Sequence, residues 1–315
     1  MKRVLLGPLC ACALSALVSG CGDGQDGAKD QKAEPGAEAA EPQAAEAGAV
    51  KAEAVDTESG KTLEVELPYG VKLTFVWVGP GSFTMGSPAE EAGRDEGETP
   101  HKVTLSHGFW IGRTEVSQRE YMAVMEMNPS KVKGADLPVE NVFYEDCTAF
   151  VRKANKLPEL VSAGVVLRLP TEAEWEFAAK GGSRGGAGPY AGGADVGAVA
   201  WYGANSGDRE ISGDWTLEAV KENRGRTHKV AGKAPNALGL FDMSGNVREW
   251  CSDLYHDYPI SGVVDPIGGP RGDMRIVRGG SWFDRAADCR SSARAWMSVC
   301  REGFIGFRLA ADTER

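Results

Sequence analysis

The chain has 315 residues and a net charge of −10, with 42% hydrophobic and 25% charged residues. That composition describes a globular bulk large enough to bury a core. Its acidic balance excludes nucleic acid as the main partner, because phosphate contacts need clustered Lys and Arg. Gly is abundant, at 41 residues, alongside eight Trp; together they predict ordered loops anchored by aromatic side chains rather than a helical bundle.

Lys2 and Arg3 precede an uncharged apolar run from Val4 to Val18, and small residues lead up to Cys21. This predicts a secretory signal over 1–20, too short to span a bilayer. Val18-Ser19-Gly20-Cys21 is similar to a bacterial lipobox, in which the cysteine is lipidated and becomes the new N-terminus. Several acyl chains at Cys21 would hold the protein on a membrane. Gly22 rather than Asp after Cys21 favours the outer membrane. Residues 22–60 hold ten acidic and three basic residues and no aromatic, Leu or Ile. Such a stretch cannot offset its ordering entropy by burial, so residues 21–60 are expected to be a lipidated, acidic, disordered linker. All aromatic residues follow, which places one folded domain at 61–315.

Within that domain, Val71–Val78 alternates at first and predicts a strand, Gly79-Pro80-Gly81 a turn, and Ser82–Gly86 a second strand. Glu90–Glu98 is acidic and expected to be a solvated loop. Val103–Ile111 reads as extended. Ser117–Met127 has helical spacing, with Tyr121, Val124 and Met125 on one face, and Glu145–Ala154 predicts another helix with Phe150 and Val151 inward. Thr171 followed by Glu174 is a capping box that starts a helix carrying Trp175 and Phe177, ended by Gly181-Gly182. Beyond residue 185 the elements are short and lie around Trp201, Leu240, Trp250, Trp282 and Phe307. Few regular elements over so long a stretch imply an α+β fold with much ordered loop.

Six segments occur in order: Ser82-Phe83-Thr84-Met85-Gly86-Ser87, Glu115-Val116-Ser117, Arg168-Leu169-Pro170-Thr171-Glu172-Ala173-Glu174-Trp175-Glu176, Gly239–Trp250, Arg278-Gly279-Gly280-Ser281-Trp282 and Gly306-Phe307-Arg308. Together they resemble the formylglycine-generating enzyme, or sulfatase-modifying factor, family over roughly residues 66–311. The resemblance implies a single C-type-lectin-like α+β domain of low secondary-structure content. It also implies a copper(I) site made by two cysteines spaced C-x₄-C after Gly-Gly-Ser. Here Asp284 stands where the first cysteine would be, and Cys289 stands at the second. A carboxylate is a hard ligand and does not replace a thiolate for copper(I), so copper and formylglycine generation are not expected.

The family's iron-dependent sulfoxide synthases use histidines at set spacing. The four histidines here, His101, His107, His228 and His256, have no i, i+4 pair, which leaves an iron site unsupported; His228 stands out because Thr227-His228 follows a glycine turn. The resemblance also implies calcium held by Asp242, the carbonyls of Gly245 and Val247, and Glu249, a mix of carboxylate and carbonyl oxygen that suits this ion. A second calcium would fall at Asn205, Ser206, Glu222 and the carbonyl of Arg224, where residues 207–223 look like an insertion.

Four cysteines remain in an exported domain, Cys147, Cys251, Cys289 and Cys300. Their even number suggests disulfides with three connectivities open; Cys251–Cys289 with Cys147–Cys300 is preferred, since each bridge would join a loop-rich segment to a core motif. Trp282, Phe283 and Trp296 flank Cys289 and either line a cleft or fill core. Arg290 and Arg294 either bind an acidic group or pair with Asp288. These readings point to an envelope-anchored, calcium-stabilised accessory lipoprotein that binds a protein or glycan partner at the periplasmic or surface side. The alternative is an oxidoreductase using another metal with Cys289, Asp284 or His228.

Overall fold

Ser59, assigned above to the linker, is buried, and its hydroxyl accepts a hydrogen bond from Gly79 N (2.8 Å). Gly60 N donates to Trp77 O (2.8 Å), and Arg184 donates to the Ser59 carbonyl. The predicted border at 60/61 is therefore late: the turn after Val78 has buried polar groups, and residues 59 and 60 satisfy them. The computed structural model describes residues 58–186, 188–298 and 302–313. The signal segment, Cys21, nearly all of the linker and Cys300 lie outside the described residues. Among the described residues, no helix is long and apolar enough to cross a membrane.

The elements follow in chain order. Strands β1 (Thr62–Leu67) and β2 (Val71–Val78) form a hairpin, and β3 (Gly81–Met85) runs antiparallel to β4 (His101–Leu105). The expected extended stretch 103–111 is split, because Ser106–Gly108 separates β4 from β5 (Phe109–Gly112). Helices α1 (Gln118–Met125), α2 (Tyr144–Ala154) and α3 (Pro158–Ala163) lead to β6 (Val165–Arg168), and α4 (Glu172–Ala179) follows. Two short helices, α5 (Val196–Val199) and α6 (Leu217–Glu222), interrupt the loops. Strands β7 (Arg248–Leu254), β8 (Val263–Val264), β9 (Arg275–Arg278), β10 (Ala295–Met297), β11 (Ile305–Gly306) and β12 (Ala310–Thr313) complete the chain.

Three sheets result, ordered β1-β2-β5-β12-β6, β10-β9-β7-β11 and β3-β4-β8. The first is covered on both faces. Leu73 and Phe75 enter one apolar cluster with Tyr121, Phe150 and Phe307; Val76, Val78 and Ile111 enter a second with Trp175 and Phe177. This explains why β2 stops alternating after Phe75: a strand buried on both sides reads as a continuous apolar run.

The predicted cap at Thr171 forms, and the structure adds a second at Ser117. Ser117 Oγ accepts from Glu120 N (3.3 Å) while the Glu120 carboxylate accepts from Ser117 N (2.6 Å). Thr171 and Glu174 repeat the exchange at α4 (3.2 and 2.9 Å). Each such cap contributes about 1 kcal/mol. Helix α4 is nearly all buried, including the acids Glu172 and Glu176. They lie four residues apart on one face and meet Arg278 and Arg294 arriving from the C-terminal third.

Candidate functional site

The resemblance directs attention to the turn after β9. Gly279 (φ +90°) and Gly280 (φ +68°) adopt left-handed backbone, and a Cβ on Gly280 would lie 2.7 Å from Cys289 Sγ and 2.8 Å from Asp288 O. Only glycine lets this turn close over the thiol. A 3₁₀ turn, Ala286–Cys289, brings Cys289 beneath it. Arg248, the first residue of β7, reaches Asp284 in a two-pronged pair: Nε to Oδ2 at 2.7 Å and Nη2 to Oδ1 at 2.6 Å. Ser281 Oγ also donates to Asp284 Oδ2 (2.6 Å). The two charged side chains are each 14% exposed.

Cys289 is fully buried. Burial pushes its thiol well up, and the carboxylates of Asp284 and Asp288 add to this against the opposing Arg248. A thiol held protonated is a poor nucleophile and a poor metal ligand. Near it lies a small pocket of about 20 Å³, with Arg248, Gly280, Asp288 and Arg294 in its lining.

The expected disulfides do not form. Cys147, Cys251 and Cys289 are each buried free thiols, and Cys300 lies outside the described residues. Cys251 packs in the second apolar cluster with Trp175 and Ile276, whereas Cys289 sits under the glycine turn. Cys147 donates to Phe143 O (3.2 Å) inside α2.

Buried ion pairs hold the loops instead. Arg290 and Arg294 do not pair with Asp288. Arg290 binds Glu98 (2.6 and 2.8 Å), Glu91 (2.6 Å) and Gly93 O (2.7 Å), so the acidic loop 90–98 is folded onto it rather than solvated throughout. Burial pulls the Glu98 carboxyl up, but Arg290 and Ser87 outweigh it and hold it below its ordinary value. Arg294 and Arg278 share Glu172 (2.6 and 3.1 Å), and Arg278 also binds Glu176 (2.5 Å). Nor do Trp282, Phe283 and Trp296 converge on one cleft. Phe283 stacks on Phe304 (5.8 Å), Trp282 donates to Gly303 O (2.8 Å), and Trp296 packs at a 35° tilt on Tyr255 (4.3 Å).

Asp242 and Glu249 come together with Glu115, which the sequence reading had not placed in a site. Glu115 accepts from Asn246 Nδ2 (2.6 Å) and Val247 N (2.9 Å) and so fixes the Gly245-Asn246-Val247 turn. Glu249 accepts from Trp175 Nε1 (2.6 Å) and pairs with Arg308 (2.7 Å), while Asp242 accepts from Ala231 N (2.6 Å). Burial raises Asp242 to about 6; burial, then Asp242 and Glu249, pushes Glu115 well up. Three buried carboxyl groups thus neighbour one guanidinium; with Glu115 holding its proton, Asp242 and Glu249 against Arg308 leave a single negative charge, which suits a cation in sign. An ion here would be held by Asp242, Glu249 and the carbonyls of Gly245 and Val247, with Glu249 shared with Arg308. Among the described residues, no group of three or more His, Cys, Asp or Glu side chains is arranged to hold a metal, so backbone oxygen would have to supply much of the cage.

The second expected set is not gathered. Asn205 spends its amide on Tyr202 N (2.8 Å) and Ala200 O (2.9 Å), and Ser206 O faces His228 Nε2 (2.8 Å). Glu222 is exposed at the end of α6, and Arg224 O accepts from Arg226 (2.9 Å). The histidines are likewise dispersed. His228 stacks on Trp201 (3.8 Å), its basicity lowered by burial; His101 packs on Tyr258 (4.5 Å), and His107 bonds Ser106 (2.7 Å).

This architecture is an α+β fold of the C-type-lectin-like kind seen in formylglycine-generating-enzyme relatives. Treponema denticola variable protein 1 superposes with a TM-score of 0.63 at 30% identity, covering 79% of this chain and 98% of that one. The sulfatase-modifying factor enzyme 1-like domain matches residues 71–313, and the chain belongs to that family. The chaperone protein LppX of Paenibacillus barcinonensis is 38% identical over 208 residues, which is 57% of this chain and 71% of that protein. A formylglycine-generating enzyme of Streptomyces coelicolor is 36% identical over 188 residues, 56% of this chain and 53% of the enzyme, so the match spans about half of the enzyme's length.

Proposed function

We propose that this protein is an accessory, client-binding lipoprotein of the cell envelope, built on a formylglycine-generating-enzyme scaffold that does not itself generate formylglycine. The observation that carries the reading is the Asp284–Arg248 pair, which puts an engaged carboxylate where the family has a thiolate and leaves Cys289 sealed and protonated. A soft monovalent ion needs two accessible thiolates, and this arrangement supplies none. Similarity to a protein named as a chaperone supports an accessory role with a protein partner over a glycan. The lipobox-like Val18–Cys21 supports export and an acyl anchor, and Asp242 with Glu249 supports a stabilising calcium.

The deciding assay is copper(I) titration of the reduced protein together with aldehyde detection on a sulfatase-type cysteine peptide. Neither binding through two thiolates nor aldehyde is expected; aldehyde formation would instead establish the oxidoreductase. Cys21→Ala should release the protein from membranes. Calcium should raise the melting temperature and a chelator lower it, since a ligand that binds only the folded state stabilises it by mass action; an unchanged melting curve removes calcium from the proposal.

A further inference from the structure

A ladder of rings and one guanidinium runs from the buried His101 out to the surface at the C-terminal end of β7. Trp296 packs at a 35° tilt on Tyr255 with ring centres 4.3 Å apart, Arg294 lies 5.1 Å from Tyr255 and 3.6 Å from Tyr258, and Tyr258 packs on His101 at 4.5 Å. The inner rungs are fixed, because Arg294 is tied to Glu172, Gly97 O and His256 O. The outermost is not covered: Trp296 is 48% exposed, on the edge strand β10. Met274, whose carbonyl accepts from Tyr255 N (2.8 Å), is 42% exposed, and Ile267, just before the Gly268-Gly269 turn that packs on Asp253 and His256, is 79% exposed. An exposed Trp on an edge strand, with the exposed Met274 two residues before its cross-strand partner Ile276, marks a contact surface rather than a scattered surface residue.

The charge at its rim indicates what it contacts. The acidic loop passes beside Tyr255, with Gly97 next to the tyrosine hydroxyl and to Asp95. Asp95 and Glu96 are exposed there, and Asp257 accepts from Tyr255 Oη (3.4 Å). Arg294, the cation within the ladder, is turned inward onto Glu172, which it shares with Arg278, and its side chain is only 2% exposed. The rim therefore presents uncompensated carboxylate around an aromatic face, and an aromatic face attracts cations. A sugar offers such a face no positive charge, whereas an arginine or lysine side chain offers both a cation and an apolar stem.

We infer that the Trp296–Tyr255 platform and its acidic rim form a docking site for a basic, apolar-flanked peptide segment of a partner protein. This deepens the reading of the chain as a client-binding protein. The copper and aldehyde assays test that reading separately, so failure here leaves it standing.

The test uses the full chain and two labelled synthetic peptides of equal length, one repeating glycine, arginine and valine and the other glycine, glutamate and valine, read by fluorescence anisotropy. The arginine peptide is expected to bind and the glutamate peptide not. Trp296→Ala should weaken binding at least about tenfold, as for a central aromatic anchor. Asp95→Asn combined with Glu96→Gln should weaken it about threefold and flatten its salt dependence. All three positions are exposed, and an unchanged melting temperature confirms intact folding. Equal binding of both peptides, or indifference to Trp296→Ala, would overturn the inference. So would binding of a chitin oligosaccharide in place of the peptide, which would assign the platform to glycan.

Discussion

Replacing Asp284 by Ala tests whether the carboxylate at the family's thiolate position now serves structure. The change removes three charge-assisted hydrogen bonds, two from Arg248 and one from Ser281. It strands the Arg248 guanidinium, which is only 14% exposed. Breaking a buried pair on one side costs about 3–5 kcal/mol because the remaining charge is unpaired. The residual exposure of both partners places this site near about 3 kcal/mol. In a domain of this size, that loss lowers the melting temperature by roughly 6–12 °C. The backbone bond from Gly203 N to Asp284 O (2.9 Å) survives the substitution, so local unfolding of the loop does not inflate the effect. The double variant Arg248→Met with Asp284→Leu should recover most of the loss, since well-packed apolar side chains often replace a buried pair at little cost. Differential scanning calorimetry of wild type, single and double variants reads all three. A single variant within about 0.5 kcal/mol of wild type, or a double variant no better than the single, would refute the structural role.

Gly280→Ala should cost about 2–4 kcal/mol, combining left-handed strain with the clash on Cys289 Sγ and Asp288 O. Gly70→Ala, at φ +71° with nothing within 4 Å, carries backbone strain without a clash and should cost clearly less; equal losses in urea titrations would remove the packing argument. Burial, then Glu172, raises Asp253 to about 7 from an ordinary 3.8. Its contribution is therefore fully present below about pH 4 and lost as pH rises through 7. Asp253 faces Glu172 and Glu174, with Tyr144 and Cys251 also within its field. Asp253→Asn should stabilise the fold at pH 8 by at most about 4 kcal/mol and leave pH 4 nearly unchanged, so matching pH profiles of melting for variant and wild type would dismiss the effect. Maleimide labelling read peptide by peptide should leave Cys147, Cys251 and Cys289 unmodified in the native protein and modify all three in denaturant; rapid native labelling of Cys289 would contradict its burial.

The parts of the fold that were legible in the sequence are those written locally. Strand β2, helices α1, α2 and α4 and the Thr171–Glu174 capping box depend on neighbours within a turn or two, so period and cap residues reveal them; the Ser117–Glu120 box is just as local but was not among the expected features. Strands β7, β9 and β12 were not legible, because their partners are remote, as Ala311 opposite Leu167 shows. Their sequences also carry charge that solvent-facing rules assign to the surface. Glu249 and Arg278 are among the most buried side chains in the molecule. They are stable there only because Arg308, Glu172 and Glu176 complete them from distant segments, and no local pattern announces such a pair. At the candidate site the resemblance set Asp284 against the family's first cysteine, but nothing local announced that Arg248 would engage it. The disulfide expectation failed for a related reason: an even count of cysteines says nothing about whether their side chains face one another.

The loops of this scaffold are held independently of position 284. Arg278, Arg290, Arg294 and Arg308 each cross from the C-terminal third to a carboxylate in an earlier segment, and none of them uses Asp284 or Cys289. The loops are held by guanidinium–carboxylate forks, whose geometry is fixed by paired hydrogen bonds. The glycine turn over Cys289 is anchored by β9 on one side and by Arg290 on the other. Position 284 is thus free to change chemistry so long as its new side chain satisfies Arg248, and aspartate does so with both oxygens. A cysteine there would leave that guanidinium with one weak acceptor. Where Arg248 is present, stability therefore favours the carboxylate and reactivity the thiol, and this chain carries the residue that stabilises.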